Sequence, residues 1–176
     1  GYLTAGEMGA NRFQSPARNA NDQDNRDMQQ FSGHLDVQIA SNLAYSGKLY
    51  YNSIEDDRRV TYTGYSGSSA PRQRRLWNEE HTGWMNTLTW QASQQIAIEG
   101  GFNYEHQDNR YRRYRYAYAV PTDFSTPVST SNDDSHTLDN FGAYVQAIIK
   151  PSASWKIVPA IRTDSFKGHT TLNATG

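Results

Sequence analysis

Two runs of alternating apolar and polar residues, joined by a short turn, occupy positions 141–166. The apolar positions are Ala143, Val145, Ala147 and Ile149 in the first run, and Trp155, Ile157 and Ile161 in the second. Because successive side chains of a strand point to opposite faces, a period of two predicts β-strands. The segment therefore predicts a hairpin of amphipathic strands, with Gln146, Arg162 and Asp164 on its polar face.

The same alternation recurs along the rest of the chain. It predicts strands near residues 33–40, 48–62, 82–90 and 96–108, and one more at residues 2–13, which makes about seven in all. Polar stretches at residues 14–30, 63–81 and 110–136 predict long loops. Short turns are predicted at residues 41–47, 91–95 and 151–154. Long and short connections therefore alternate.

This alternation of connection lengths separates two kinds of all-β protein. A soluble sandwich has no reason to place every long connection at one end. A transmembrane barrel does, with short periplasmic turns, long extracellular loops and an apolar face toward lipid. Trp90 ends a strand at a short turn and Trp155 begins one, which suits an aromatic girdle. We predict an antiparallel transmembrane β-barrel segment, with a passive porin-type barrel and a soluble carbohydrate-binding module as alternatives.

The composition agrees with strands joined by polar loops. Hydrophobic residues make up 36% of the 176 residues and aromatic residues 12%, with a mean hydropathy of −0.86. The absence of cysteine excludes a disulfide framework. The net charge of −1 provides no field that favours nucleic acid. No apolar run reaches the roughly 18 residues of a membrane helix. Because the chain begins without an initiator methionine and ends abruptly, we expect a piece of a longer protein.

The segment 141–168 resembles a recurrent hairpin of TonB-dependent outer-membrane receptors. The family pattern, Gly-x-Tyr-x-Gln-x-x-x-(Lys/Arg)-Pro followed by a strand ending Gly-x-Arg-x-Asp, is matched by Gly142, Tyr144, Gln146, Lys150, Pro151, Arg162 and Asp164. Ala160 stands where the family usually has Gly, and Thr163 where it often has Tyr. Residues 48–59 and 96–110 resemble other family strands more loosely. Pro159 lies on the apolar row, where it removes a ladder donor, so a strand break there would weaken the match.

The resemblance implies a barrel of about 22 strands with an N-terminal plug inside it. Residues 1–176 would form part of that single barrel domain, and the plug and C-terminal strands would lie outside this piece. The implied function is active transport across the outer membrane of a Gram-negative bacterium, without catalytic chemistry or a cofactor. The implied cargo is most often a ferric siderophore or a similar metal chelate, and the TonB complex supplies energy through the plug.

Two stretches of arginine and aromatic residues are the candidate ligand-binding sites, and both are predicted in extracellular loops. One contains Arg110, Tyr111, Arg112, Arg113, Tyr114, Arg115 and Tyr116, and the other Arg72, Arg74, Arg75 and Trp77. Arginine forks bind carboxylate, phosphate or catecholate oxygens, so an anionic chelate or lipopolysaccharide phosphates would suit them. The simpler alternatives are a strand that continues above the membrane for the first stretch and a solvated loop for the second. Nucleic acid is not an expected partner.

Neither a metal site nor a catalytic site is predicted. The clusters at residues 105–108 and 79–81 combine Glu, Asp and His, but neighbouring strand residues point to opposite faces and do not converge on one ion. Glu99 and Glu105 share a strand face, but at roughly 3.3 Å per residue they lie about 20 Å apart. A glycosidase pair needs a much shorter separation.

Overall fold

One antiparallel sheet makes up most of the protein. The computed structural model describes residues 3–15, 19, 21–61, 72–116, 124 and 126–173. After one short helix, α1 (Ala5–Asn11), the strands are β1 (Gln23–Ala40), β2 (Leu43–Thr61), β3 (Arg72–Gln91), β4 (Ile96–Tyr116), β5 (Ser129–Ser152), β6 (Trp155–Ile157) and β7 (Ala160–Leu172). The strands pair in chain order, and both β6 and β7 pair with β5.

Short and long connections lie at opposite ends of this sheet. At the turn end, residues 41–42, 92–95 and 153–154 join successive strands. At the loop end, residues 62–71 join β2 to β3, and residues 117–128 join β4 to β5. The predicted antiparallel all-β class and its alternating connections are confirmed. Within the described ranges, no helix is long and apolar enough to cross a membrane.

The strand register gives the sheet an apolar face and a polar face. Residues opposite each other on neighbouring strands share a face, as Leu49, Trp84, Tyr104 and Phe141 do. The apolar face also carries the exposed side chains of Phe31, Leu35, Val37, Ile39, Leu88, Trp90, Val145 and Ile161. No other element packs on it among the described residues. An uncovered apolar band on an antiparallel sheet is typical of a strand wall that faces lipid.

The hairpin of β5 with β6 and β7 has the predicted division of faces. Val145 pairs with Ile161 and Ile149 with Ile157, so these four residues share the apolar face. Gln146, Arg162 and Asp164 belong to the opposite face, because Gln146 pairs with Ala160, Tyr144 with Arg162, and Gly142 with Asp164. The family-like residues of the hairpin therefore lie together on the polar face.

Pro159 interrupts the second strand of this hairpin, so the break that would weaken the family match is present. Strand β6 ends at Ile157 and β7 begins at Ala160. The Ala147 N–H still donates to the Pro159 carbonyl at 3.0 Å. Proline has no N–H to return the bond. The register is the same on both sides of the break, so the proline removes one donor without shifting the strand.

Three side chains on the polar face pass over a glycine of the neighbouring strand and form a hydrogen bond with the strand beyond it. We call these contacts braces. The Tyr50 hydroxyl of β2 donates to Glu105 of β4, and Gly83 of β3 lies between them in register. In the second brace, Tyr144 passes over Gly101 and its hydroxyl lies 3.2 Å from the Thr87 hydroxyl. In the third, Arg162 passes over Gly142 and donates to the Asn103 amide oxygen at 2.9 Å. A Cβ on any of these glycines would overlap the crossing side chain. The braces together link every strand from β2 to β7 except the short β6.

The strands extend farther toward the loop end than the sequence pattern predicts. Strand β1 begins at residue 23, inside the predicted loop 14–30, and β5 begins at residue 129, inside the predicted loop 110–136. Strand β3 begins at residue 72 and β4 continues to residue 116. The loop placement of both candidate stretches was therefore wrong for all eleven candidate residues, and for residues 110–116 the structure has the alternative, a continuing strand. Beyond the apolar band both faces are polar, so the alternation that marks a strand disappears while the backbone ladder continues.

The strand predicted at residues 2–13 was also wrong. Residues 5–11 form α1, and Thr4 and Glu7 cap its first turn reciprocally. The Glu7 carboxylate accepts from the Thr4 N–H at 2.7 Å, and the Thr4 hydroxyl accepts from the Glu7 N–H at 3.4 Å. The Thr-x-x-Glu spacing is the capping-box pattern, which outweighs the weak alternation of this segment.

Candidate functional site at the loop end

The eleven candidate residues divide between the two sides of the sheet. In the regular β3–β4 register, odd-numbered residues lie on the polar face and even-numbered residues lie on the side of the apolar face. The polar face receives Arg75, Trp77, Tyr111, Arg113 and Arg115. The opposite side receives Arg72, Arg74, Arg110, Arg112, Tyr114 and Tyr116. Residues that are neighbours in sequence therefore point to different surroundings.

A row of three arginines crosses the polar face at the loop end. Arg58 of β2 pairs in register with Arg75 of β3, which pairs with Arg113 of β4. Neighbouring strands are about 4.8 Å apart, so the row covers roughly 10 Å. Arg115 lies on the same face, two residues nearer the loop end along β4. Like charges directly opposite each other destabilise a strand pair. Arg75 also donates to the Gln73 amide oxygen of its own strand, at 3.3 Å.

An aromatic pair lies beside this arginine row, one step toward the turn end. Trp77 and Tyr111 face each other across β3 and β4, with ring centroids 5.2 Å apart and planes tilted by 31°. The two rings pack against each other, two residues along their strands from Arg75 and Arg113. Guanidinium groups beside aromatic faces can hold an oxyanion and the organic part that carries it.

Acidic residues lie on both sides of this row, on β1 and β2 and on β5. Asp56 accepts two bonds from Arg26, at 2.8 and 3.2 Å. The Asp24 carboxylate lies 4.0 Å from the Arg58 Nε. On the other side of the row, the Asp134 carboxylate of β5 lies opposite Tyr111 on the same face.

On the opposite side of the sheet, the arginines are held by carboxylates. Arg74 donates twice to Asp57, at 2.8 Å each, and Arg59 donates to the same carboxylate at 3.0 Å. These residues lie beyond the last aromatic row of the apolar face. Burial raises the pKa of Asp57, but the hydrogen bonds from Arg74 and Arg59 outweigh that effect and hold the pKa below its usual value.

Farther along the same side, β4 is tied to its neighbours by further polar bonds. Arg110 donates two bonds of 2.9 Å to Asp133 of β5, and these bonds lower the pKa of that carboxyl. Arg112 donates to the Asn78 amide oxygen at 2.7 Å. The arginines on this side therefore have structural partners within the sheet.

A small buried cluster closes the loop end on this side. The Phe124 ring lies 5.1 Å from the Tyr116 ring, and the guanidinium groups of Arg59 and Arg72 lie 5.7 and 5.5 Å from the Phe124 centroid. Arg72 is 1% exposed, Tyr116 3% and Phe124 8%. Arg72 and Tyr116 are thus part of a packed cluster.

Sequence reasoning missed Arg58, the third member of the arginine row. It lies in the strand prediction for residues 48–62 and attracted no attention as a ligand residue. A pattern of one strand does not show which arginines of other strands will lie opposite. That information comes from the register, and the register depends on where each turn is placed.

Among the described residues, no group of three or more His, Asp or Glu side chains is arranged to hold a metal ion. Two carboxylates on the polar face, those of Glu99 and Glu105, have other partners. Glu105 accepts from Tyr50 and from the Gln107 amide at 2.6 Å, while His106, on the opposite side, pairs with Asp139 at 2.8 Å. Glu99 accepts from Tyr144 at 2.9 Å and from Gln146 at 3.0 Å.

Two comparisons with known proteins find a similarity, one to a family and one to a fold. A family model described as "TonB dependent receptor-like, beta-barrel" matches residues 2–176. A search of curated protein sequences found no match. Among solved structures, the chain is similar to the ferric citrate transporter FecA in its unliganded form, with a TM-score of 0.76 and 16% sequence identity. The alignment covers 98% of this chain and 26% of that one, so the chain spans about a quarter of that protein.

Proposed function

The chain belongs to the β-barrel family of TonB-dependent receptors, and from this premise we propose that it is part of the wall of an outer-membrane receptor that imports a scarce nutrient, a ferric siderophore or a similar metal chelate. The proposed location is the outer membrane of a Gram-negative bacterium. In such a barrel the apolar face meets lipid and the polar face lines the interior.

The observation that carries this proposal is the length of the strands beyond the apolar band. A strand needs only about 9–11 residues to cross a membrane. The four complete strands from β2 to β5 have 19, 20, 21 and 24 residues, and β2 continues ten residues past Tyr51. The additional residues of each strand lie at the loop end, where they extend the barrel wall outside the membrane. A wall of this kind encloses a chamber in which a ligand can be held before transport.

The polar-face candidates of this chamber are the proposed ligand contacts. Arg75, Trp77, Tyr111, Arg113 and Arg115 point to the interior in this arrangement. The six candidate residues on the opposite side face away from the chamber. For one of them with an exposed side chain, Arg110, we propose contacts with lipopolysaccharide phosphates. The fold likeness to a ferric citrate transporter supports a metal chelate as the type of cargo.

Energy is proposed to come from the TonB complex through a plug domain elsewhere in the same polypeptide. The polar face offers hydrogen-bonding groups along its whole length, including Glu99, Glu105 and Arg162, and a plug inside the barrel would cover them. A passive porin-type channel lacks this energy dependence, so energy dependence is the property that separates the two functions.

The test is iron uptake by cells that produce the full-length receptor. The host is a Gram-negative strain without siderophore receptors of its own, with and without a working TonB complex, and the label is radioactive iron supplied as several ferric chelates. We expect saturable uptake of at least one chelate, lost when TonB is removed. Uptake that rises linearly with concentration and ignores TonB would instead identify a passive channel.

A further inference from the structure

An open groove of about 400 Å³ lies on the apolar face near the turn end. Ala147 of β5 and Pro159, in the break between β6 and β7, contribute small side chains to its lining. Around them the groove is lined by Ile98, Val145 and Ile161. The lining belongs to β4, β5 and the chain segment of β6 and β7, so a further strand that paired with the free edge of β7 would leave the groove open.

The turn end of the sheet carries positive charge without acidic residues beside it. Residues 38–45, 89–98 and 150–157, which form the three short turns and the strand ends around them, contain no Asp or Glu. Their only charged residues are Lys150 and Lys156, and both side chains are exposed. Among the described residues, neither ammonium group pairs with a carboxylate. The two charges are therefore available to an anion from outside the sheet.

A β-bulge places the two lysines opposite each other beside an exposed tryptophan. Lys150 and Pro151 of β5 together lie opposite the single residue Lys156 of β6. Like charges in opposed positions repel each other, and an anion between them would relieve this repulsion. Trp155, the neighbour of Lys156 in sequence, is 68% exposed. Since tryptophan side chains lie at the membrane–water interface, the lysines are at the level of the lipid headgroups.

The separation between the lysines and the groove suits a single lipid molecule. Pro159 is three residues from Lys156, and Ala147 is three residues from Lys150. At roughly 3.3 Å per residue, each separation is about 10 Å along the strand. Lysine keeps its carbon stem on apolar surface and its ammonium group in the polar layer, so each charge can reach a phosphate at the membrane surface. A phosphate held there would place an acyl chain of the same molecule over the groove.

We propose that the lysine pair and the groove form a binding site for one anionic phospholipid, phosphatidylglycerol, in the membrane leaflet at the turn end. Its phosphate lies between Lys150 and Lys156, and one acyl chain lies along Ala147 and Pro159. The ammonium group of phosphatidylethanolamine would be repelled by the two lysines, which favours the anionic lipid. Such a site requires the outer-membrane location proposed above, and it adds a lipid ligand to the transport function.

The experiment measures lipid binding to the purified full-length receptor in neutral detergent by native mass spectrometry. Phosphatidylglycerol and phosphatidylethanolamine with identical acyl chains are titrated separately. The variants are Lys150→Gln, Lys156→Gln and both together, and the matched control is Lys167→Gln, an exposed lysine of β7 outside the turn end. Ala147→Leu fills the groove, and Ala143→Leu, on the same face outside the groove, is its control. Heat-modifiable migration in gels shows that each variant is folded.

We expect the wild type to bind phosphatidylglycerol more tightly than phosphatidylethanolamine. Each variant of Lys150 or Lys156 should raise the Kd of phosphatidylglycerol by about fivefold, the effect of one positive charge beside an anionic lipid, and the double variant should abolish the preference. Lys167→Gln should change this Kd by less than about twofold. Ala147→Leu should weaken the binding of both lipids, and Ala143→Leu should weaken neither.

Equal affinity of the wild type for the two lipids, or equal effects of Lys150→Gln and Lys167→Gln, would overturn the lysine part of the site. Unchanged lipid binding by Ala147→Leu would overturn the groove part. Lipid binding is measured without cargo and without TonB, so its failure leaves the uptake test of the proposed function unaffected. Conversely, a receptor that prefers phosphatidylglycerol but imports no chelate would keep the lipid site and lose the proposed function.

Discussion

At the scale of single residues, the polar face depends on close approach over glycine. Gly101 lies beneath the Tyr144 ring, and a Cβ there would overlap the backbone carbonyl of Asn86 and come within 2.8 Å of the ring. Its neighbour Gly100 points to the other face, where the nearest atom to a Cβ is 3.5 Å away. Adjacent glycines in the sequence thus have different structural requirements.

We therefore predict that Gly101→Ala destabilises the full-length barrel by about 1–3 kcal/mol, because the inserted methyl group overpacks the wall. Gly100→Ala, the matched control, should stay within about 0.5 kcal/mol of the wild type. Urea-induced unfolding of the protein reconstituted in lipid measures both. Equal stability of the two variants would contradict the brace at Gly101.

A second residue-scale feature is the carboxylate of Asp57, shared by Arg74 and Arg59. Its pKa lies below the usual value, so folding is favoured by its ionised form. The stabilisation is present above the unfolded pKa of about 3.9 and is lost as the pH falls through the lower folded value.

Asp57→Asn should therefore cost on the order of 1 kcal/mol at neutral pH, because two guanidinium groups lose their shared acceptor. The cost should shrink below about pH 4, where the wild-type carboxylate is itself protonated. Thermal unfolding of wild type and variant from pH 7 to pH 3 tests this expectation. If the stability difference between wild type and variant stays constant from pH 7 to pH 3, the destabilisation does not come from the loss of the ion pair.

At the scale of elements, the sequence predicts the part of each strand that lies in the apolar band. The hairpin of β5 with β6 and β7 was located correctly, because its apolar face imposes a strict period of two. At the loop end, both sides of β3 and β4 are polar. Without that period of two, the sequences of the loop-end parts of these strands resemble loops. Only their backbone pairing in the structure shows that they are strands.

The candidate site was predictable in composition and not in arrangement. The basic and aromatic stretches contain four of the residues on the polar face at the site's centre, namely Arg75, Trp77, Tyr111 and Arg113. Their division between two sides follows from strand structure, which a loop prediction does not supply. The place of Arg58 in the row could be known only from the register between β2 and β3. That register is set by backbone pairing along the whole of two strands of 19 and 20 residues, and no local motif reveals it.

At the scale of the whole molecule, the two faces of the sheet face different solvents. Leu88 lies on the apolar face, and the next residue, Thr89, lies on the polar face opposite Glu99. Both belong to the same strand and are close to the same depth. They therefore separate the effect of face from the effect of position along the strand.

We predict that Leu88→Arg destabilises the barrel in lipid by about 1–2 kcal/mol and lowers the assembled fraction, because a guanidinium would enter the hydrocarbon region just inside the Trp90 girdle, where the cost is below its midplane value. Thr89→Arg should be tolerated within about 1 kcal/mol, since its side chain enters the wet interior beside Glu99. Assembly into phospholipid vesicles, followed by heat-modifiable migration in gels, measures both. If both variants assemble equally well, the assignment of faces is wrong.

The three braces bear on how such a wall finds its alignment during assembly. A slip of one residue between strands exchanges the two faces and is opposed by every apolar side chain. A slip of two residues restores the faces, so amphipathicity alone does not detect it. It would, however, carry Gly83, Gly101 and Gly142 away from the side chains that cross them and place a bulkier residue beneath each. The braces thus disfavour register shifts of two residues between strands. They thereby preserve the strand tilt and the barrel circumference, which such shifts would change.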